Sequence, residues 1–323
     1  MKSVRKYILL ELILGILVAA FIGVNFFQKR EEEQFRVAVV LSDSGSSQWS
    51  ALKYGIEMAA EDQKVDAVFI STEIIESIEE EIKIIQFAVQ RGADAVIVQP
   101  IPGLHAEQAL KDLSPKVPVM LVESAAGYDR NQSYFATAEA DAALMGEQLV
   151  GELIADCGGS IEGKTVGILS SDMTSDVTRE KKSTVSRLLE QQKAEVKWKL
   201  TGNLNDAGLV ILETQQPVDV VLALDDRSVV MAGKCSADER LHGARVYGIG
   251  NSMEAVYYLD NERVECLIVP DEFDVGYQSM SAMAAQLNKT GDGLQNITVG
   301  STVLRREELF SDENQELLFT MSQ

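Results

Sequence analysis

From Arg36 onward, short runs of Val, Ile, Leu and Ala recur along the chain, separated by longer stretches whose apolar residues repeat every three or four positions. The runs Arg36–Leu41, Asp66–Ile70, Ala93–Val98 and Pro118–Val122 show little polar alternation, which predicts strands buried on both faces. Amphipathic stretches at Ser50–Asp62, at Ile75–Arg91 and from about Gly103 predict helices after the first three of them. The pattern then starts again, with a helix over Glu139–Ile154, a strand at Lys164–Ser170, a helix over Ser175–Gln192 and a strand at Glu195–Leu200. Further strands are predicted at Asp219–Leu224, Ala244–Ile249 and Val264–Val269, with helices between them and a last helix over Phe273–Leu287. Apolar strands joined by helices make parallel sheets covered on both faces, and the repeat predicts two of them. The fold class expected is therefore α/β, with two doubly wound parallel-sheet lobes and a hinge. Residues 34–137 and 271–300 are assigned to lobe 1, residues 138–270 and 301–323 to lobe 2.

Residues 1–33 follow another rule. Between Tyr7 and Phe27 the only ionisable residue is Glu11, and Leu12–Ile22 is apolar throughout. About 20 such residues match the hydrocarbon thickness of a bilayer at helical rise. A cleaved signal peptide is the rival reading, but its apolar region runs about 7–15 residues before a small-residue cleavage site. This segment is longer, ends in Asn25-Phe-Phe-Gln28 and has no cysteine near it, so it is read as an uncleaved membrane anchor. Lys2, Arg5 and Lys6 precede the span while Lys29 and Arg30 follow it, which favours a cytoplasmic N-terminus. The expected location is the cell membrane, single-pass through residues 7–27, with the body outside the cytoplasm. Glu11 lies about one turn inside the boundary, where it reaches the headgroups or meets a partner helix.

Charge and composition narrow the function. The net charge of −21 over 323 residues argues against nucleic acid, whose phosphates it would repel. Cys157, Cys235 and Cys266 are widely spaced and fit no zinc or redox motif; they read as small apolar residues, with a Cys235–Cys266 bridge as the alternative. His105 and His242 are the only histidines, and neither belongs to a metal-site spacing. Gly248-Ile-Gly-Asn-Ser-Met253 lacks the third glycine of a dinucleotide fingerprint, and no G-x-S-x-G occurs. No catalytic residue, metal or cofactor is assigned, and the chain is not read as an enzyme.

In open α/β sheets, ligands bind beyond the carboxyl ends of the strands, where loops converge and helix N-termini supply N–H donors. Here those ends are polar: Ser42-Asp-Ser-Gly-Ser46, Gln99-Pro100, Glu123-Ser124, Ser171-Asp172, Asp225-Asp-Arg227 and Gly250-Asn-Ser252. Two lobes facing each other across such rims form a cleft for a polar small molecule.

Six of these segments, in order, resemble the type I periplasmic binding proteins of the ribose/galactose-type sugar-binding branch, whose core is shared with Lac-repressor-like regulators. Trp49-Ser-Ala-Leu-Lys-Tyr-Gly55 is similar to the family's aromatic-x-x-Leu-Lys-x-Gly helix start, and Gly92-Ala-Asp-Ala-Val-Ile-Val-Gln-Pro100 to its G-x-D-A strand. Val117-Pro-Val-Met-Leu-Val-Glu123 resembles its I/V-P-V strand ending in Asp, and Val177-Thr-Arg-Glu180 its A-x-R-E helix start. Leu224-Asp-Asp226 stands in for its Asn-Asp pair, and Val246-Tyr-Gly-Ile-Gly-Asn251 for its V-x-G-I-D segment.

The resemblance implies a receptor that binds a sugar through ring stacking and hydroxyl hydrogen bonds. By position it makes Trp49 the stacking ring, with Glu123 and Arg179 as charged partners and Asp225 and Asn251 as polar ones; Ser46, Gln48 and Asp271 complete the set. Asp226 is expected to cap the helix that follows it. Ser46, Gln48, Ser124 and Pro270 depart from the family's Asn, second aromatic, Arg and Gln, so a preference for one sugar does not carry over. The partners implied are a carbohydrate-like ligand and either the permease of an ABC importer or, alternatively, a sensor kinase or chemoreceptor.

Overall fold

The computed structural model describes residues 34–101, 108, 111–112, 117–123, 135–171, 176–202, 206–291 and 293–322. The anchor expected at 1–33 and the helix expected from about Gly103 lie outside the described residues or nearly so. Among the described residues no helix is long and apolar enough to cross a membrane.

Among the described residues from Arg36 onward, the strands form two six-stranded sheets. The first contains β1 (Arg36–Val40), β2 (Asp66–Ile70), β3 (Ala95–Val98), β4 (Val119–Val122), β5 (Ala136–Ala140) and β11 (Ile297–Val299), in the order β11-β5-β4-β3-β1-β2. The second contains β6 (Thr165–Ser170), β7 (Glu195–Thr201), β8 (Val220–Ala223), β9 (Arg245–Ile249), β10 (Cys266–Pro270) and β12 (Ser301–Leu304), in the order β12-β10-β9-β8-β6-β7. The described pairings are parallel except β10–β12, which places an antiparallel strand on the edge of the second sheet. The all-parallel expectation is corrected there.

Among the described residues, the helices with defined bounds are α1 (Ser50–Gln63), α2 (Ile78–Gln90), α3 (Ala142–Asp156), α4 (Asp176–Gln191), α5 (Asp206–Glu213), α6 (Asp226–Ala237), α7 (Met253–Asp260), α8 (Glu272–Asn288) and α9 (Asp312–Met321). Four of these elements differ from the sequence expectation. Residues 136–140 form β5, not the start of a helix, so the chain stays in the first sheet beyond the expected boundary at 137. The Asp141 carboxylate accepts from Leu144 N at 2.9 Å and starts α3 there. Strands β11 and β12 and helix α9 have no predicted counterpart.

The chain passes between the sheets at Asp141, at Asp271 and at Gly300. Asp141 N donates to Val299 O at 3.0 Å and Asp271 N donates to Gly300 O at 3.2 Å, which ties the three crossings together. Helix α8 follows the second crossing and packs on α1, where a Cβ at Gly55 would overlap the Phe273 carbonyl and one at Gly276 the Leu52 carbonyl. The two glycines let the helix backbones approach closely. Helix α9 buries Met321 with the core of the second sheet, while its Phe319 ring meets Tyr54 of α1 at 5.8 Å.

A buried carboxyl, Glu81 of α2, lies in the first lobe. One oxygen accepts from Ile101 N at 3.0 Å, and the other has no hydrogen-bond partner. Burial pushes its pKa from 4.5 to about 8. Between those values the folded protein holds this proton and the unfolded chain does not, so stability falls as pH rises through the window. Glu81→Gln is expected to flatten that fall and to melt above the wild type at pH 8. Each kcal/mol gained would appear as roughly 2–4 °C. Thermal unfolding at pH 5 and pH 8 checks this, and equal slopes for the two proteins would refute it.

Candidate functional site

The carboxyl ends of β1, β3, β4, β6 and β8 open onto one cleft of about 380 Å³. From the first sheet it is lined by Ser42, Asp43, Gln48, Trp49, Gln99 and Glu123, with Ile74 at its edge. The second sheet contributes Ser171, Val177, Thr178, Lys181 and Asp225-Asp-Arg227.

Trp49 ends the short 3-10 turn Ser47–Trp49 that leads into α1. It is 7% exposed, and its ring N–H donates to Ser42 O at 3.0 Å. With that donor satisfied inside the protein, the ring offers the cleft apolar surface only. Glu123 follows β4 with a positive φ of 48°, a left-handed conformation costly for a residue with a Cβ. Its carboxyl meets that of Glu272, in the first turn of α8.

Asp225 accepts from Ser171 N and Oγ at 2.7 Å each, and from Ser228 N at 3.0 Å and Oγ at 2.7 Å. It is the cap of α6, a role the sequence assigned to Asp226. Asp226 instead accepts from Asn251 N at 3.0 Å and Ser252 N at 2.9 Å, and burial raises its pKa. The first carboxylate is thus spent on fixing β6 to α6, the second on holding the loop after β9.

The remaining expected residues are placed differently from one another. Gln48 lines the cleft, and Asn251 Nδ2 reaches its carbonyl oxygen at 3.1 Å, linking the two rims. Arg227 pairs with Asp43 at 3.7 Å across the same opening. Ser46 precedes the 3-10 turn, and Asp271 caps α8 by accepting from Asp274 N at 3.0 Å; neither lines the cleft. Arg179 is exposed on α4 and does not line it either. On a helix, positions three and four apart share a face while positions two apart do not. Val177, Thr178 and Lys181 therefore face the cleft together, and Arg179 turns away. Sequence reasoning missed Lys181 and Glu272; the spacing from Val177 to Lys181 was the available signal.

Among the described residues no cluster of His, Cys, Asp or Glu could hold a metal ion. Cys157, Cys235 and Cys266 are free thiols, and burial pushes Cys266 up to about 12.

Residues 37–291 match the periplasmic binding protein domain family. The chain belongs to this family. Among solved structures, it is similar to GanP, a glucose-galactose binding protein from Geobacillus stearothermophilus, at 17% identity and a TM-score of 0.73, over 86% of this chain and 99% of that one. A carbohydrate transporter solute-binding protein from Agrobacterium radiobacter, solved with D-arabinose, matches at 17% identity and a TM-score of 0.76, over 88% and 99% of the two chains. A XylFII–LytSN complex matches at 12% identity and a TM-score of 0.71, over 85% and 98%. At these identities the likeness is one of fold. No curated protein matches the chain.

Because Asp225 makes four bonds to both sides of the β6–α6 junction, its removal is expected to damage the cleft through its wall. Asp225→Ala should cost about 1–2 kcal/mol of stability, the range for a lost helix cap, before any effect on ligand is counted. Urea unfolding of variant and wild type measures this, and an unchanged midpoint would sink it.

Proposed function

We propose that this protein is an extracytoplasmic solute-binding protein that closes on a sugar or sugar-like molecule and delivers it to an ABC importer. The observation that carries this reading is the cleft itself, where the segments after the strand ends of two sheets contribute Trp49 and Glu123 from one side and Lys181 and Asp225 from the other. An apolar ring surface beside charged donors and acceptors suits a molecule with one C–H face and several hydroxyls. Family membership and the D-arabinose held by a protein of the same fold agree with it. The ligand contacts assigned to Trp49, Gln48 and Glu123 are part of the proposal, as is hinge bending on binding, with Asn251 acting through its bond to Gln48; Ser46, Arg179 and Asp271, which lie outside the lining, are left out of it. The apolar stretch at residues 7–27 would tether the body to the outer face of the membrane.

A second reading makes the protein the ligand-sensing subunit of a sensor kinase or chemoreceptor, without transport. One observation and one physical argument favour it. A protein of this fold has been solved in complex with a second protein, the XylFII–LytSN complex. A tethered receptor also stays beside its partner and gains effective concentration.

Thermal shift against a carbohydrate panel tests the ligand class. A ligand at a hundred times its Kd adds about 2.7 kcal/mol of stability. Trp49→Ala is expected to weaken any hit at least about tenfold, a loss of roughly 1.4 kcal/mol. Trp49→Phe, which keeps a ring in a nearly filled site, should lose less. Unchanged affinity in both, by calorimetry, removes Trp49 from the site.

Deletion separates the two partner readings. Importer delivery predicts that uptake of the identified solute falls in the deletion strain. Unchanged uptake with loss of the transcriptional response to that solute would assign the sensing role instead.

A further inference from the structure

Glu81 sits where a charge finds little support. It lies in the first turn of α2, it is 0% exposed, and its helix packs on β1. The core on that side is aliphatic, with Val40, Ile75, Ile85, Val98 and Leu121 in one cluster and Ile101 packed against it. Oε1 accepts from Ile101 N at 3.0 Å, while Oε2 is buried without a partner. Glu79, Glu80 and Lys83 of the same helix are exposed, and among the described residues burial and the Ile101 N–H are what bear on the Glu81 charge. A bare carboxylate with one donor is far less stable there than a carboxyl group, so the side chain holds a proton on Oε2.

The Ile101 bond closes a ring of contacts that passes through the cleft. Two residues before Ile101, Gln99 lines the cleft, and its Oε1 accepts from Ser42 N at 3.3 Å. Four residues before Glu81, Ser77 caps α2 by accepting from Glu80 N at 3.3 Å. Just ahead of that cap, Ile75 N donates to Ser42 Oγ at 3.0 Å. Both arms therefore end on Ser42. The Ser42 carbonyl in turn accepts the Trp49 ring N–H at 3.0 Å, and Ser42, Ile74, Gln99 and Trp49 all line the cleft.

We propose that protonated Glu81 is a positioning residue for this wall of the cleft, and that the wall keeps its shape only while Glu81 keeps its proton. An ionised Glu81 needs water, which it reaches by parting the first turn of α2 from the Ile101 segment. Either displacement is passed to Ser42, and the Trp49 ring then loses its fixed partner. Glu81 lies outside the cleft lining and acts through that wall. Its proton is held up to about pH 8, so the wall is intact below that value and loosens as pH rises through it. What the loosening does to ligand affinity rests on the solute-binding reading; the loosening itself does not.

The test needs no ligand, so its failure leaves the solute-binding reading standing. It is acrylamide quenching of tryptophan fluorescence in the full-length protein from pH 6 to pH 9. The chain has two tryptophans, Trp49 and Trp198. In the wild type the quenching constant should rise at least about twofold as the wall opens locally, with its midpoint near 8. Trp49→Phe, which leaves Trp198 as the reporter, should not show the rise.

Glu81→Gln keeps the acceptor for Ile101 N and cannot ionise, so it should hold the low value throughout. Glu81→Leu removes the acceptor and should give the high value at every pH. A purely structural role would show in Glu81→Leu but leave the wild-type profile flat. A flat wild type, or a rise that survives in Glu81→Gln, overturns the inference. So does a rise shared by Trp49→Phe, because it would report loosening of the whole fold instead of this wall.

Discussion

The arrangement depends on three backbone crossings that lie side by side. A chain that leaves one sheet and returns to it must pass its polar backbone through the region between two cores, where unpaired N–H groups are costly. Asp141 N and Asp271 N find acceptors on Val299 and Gly300, so each crossing satisfies its neighbour. The crossing segments are thereby tied to one another. The cleft is what remains beyond the strand ends. The α1–α8 contact at Gly55 and Gly276 holds the second crossing against the first sheet, which is why Glu272, one residue past Asp271, comes to stand behind Glu123.

Within that frame, the carboxylates divide into two kinds. Asp225 and Asp226 are acidic residues in the cleft wall, but their oxygens are taken up by donors of their own lobe. Such groups are fixed features of the wall, and what acceptor capacity they keep lies mainly on the second oxygen of each, Asp225 Oδ2 and Asp226 Oδ2. Glu123 and Lys181 line the same cleft from opposite sheets, and neither fixes a helix cap or a strand end there. Acidic character in a cleft is therefore a poor guide to ligand contact until the internal hydrogen bonds are traced.

The distinction explains what could be read from the sequence. Buried strands such as Val119–Val122 and Val220–Ala223 announce themselves as runs of β-branched and aliphatic residues, and both sheets followed from them. β5 did not, because Ala-Thr-Ala-Glu-Ala has the composition of a helix and becomes a strand only by pairing with β4 and β11. β11 and β12 are too short to show a period, and α9 has a weak apolar stripe that acquires meaning only against Tyr54 and the second core. That Trp49 and Glu123 line the cleft was legible, the first as an aromatic within the polar stretch after β1 and the second as a charge directly after an apolar run. The order of Asp225 and Asp226 was not, since either could cap α6 and only the backbone geometry decides. Arg179 and Lys181 were separable in principle, because they lie two residues apart on one helix and cannot share a face.

The contacts that now join the rims bear on how such a cleft could respond to ligand. Arg227 and Asp43 are 55% and 40% exposed in their side chains, and exposed pairs of this kind contribute about 0–1 kcal/mol. Asn251 and Gln48 add one neutral hydrogen bond, worth about 1 kcal/mol net. Together these come to about 1–2 kcal/mol, no more than one or two hydrogen bonds to a ligand can supply. The rim contacts therefore leave the balance between an occupied and an empty cleft to whatever a ligand adds inside it.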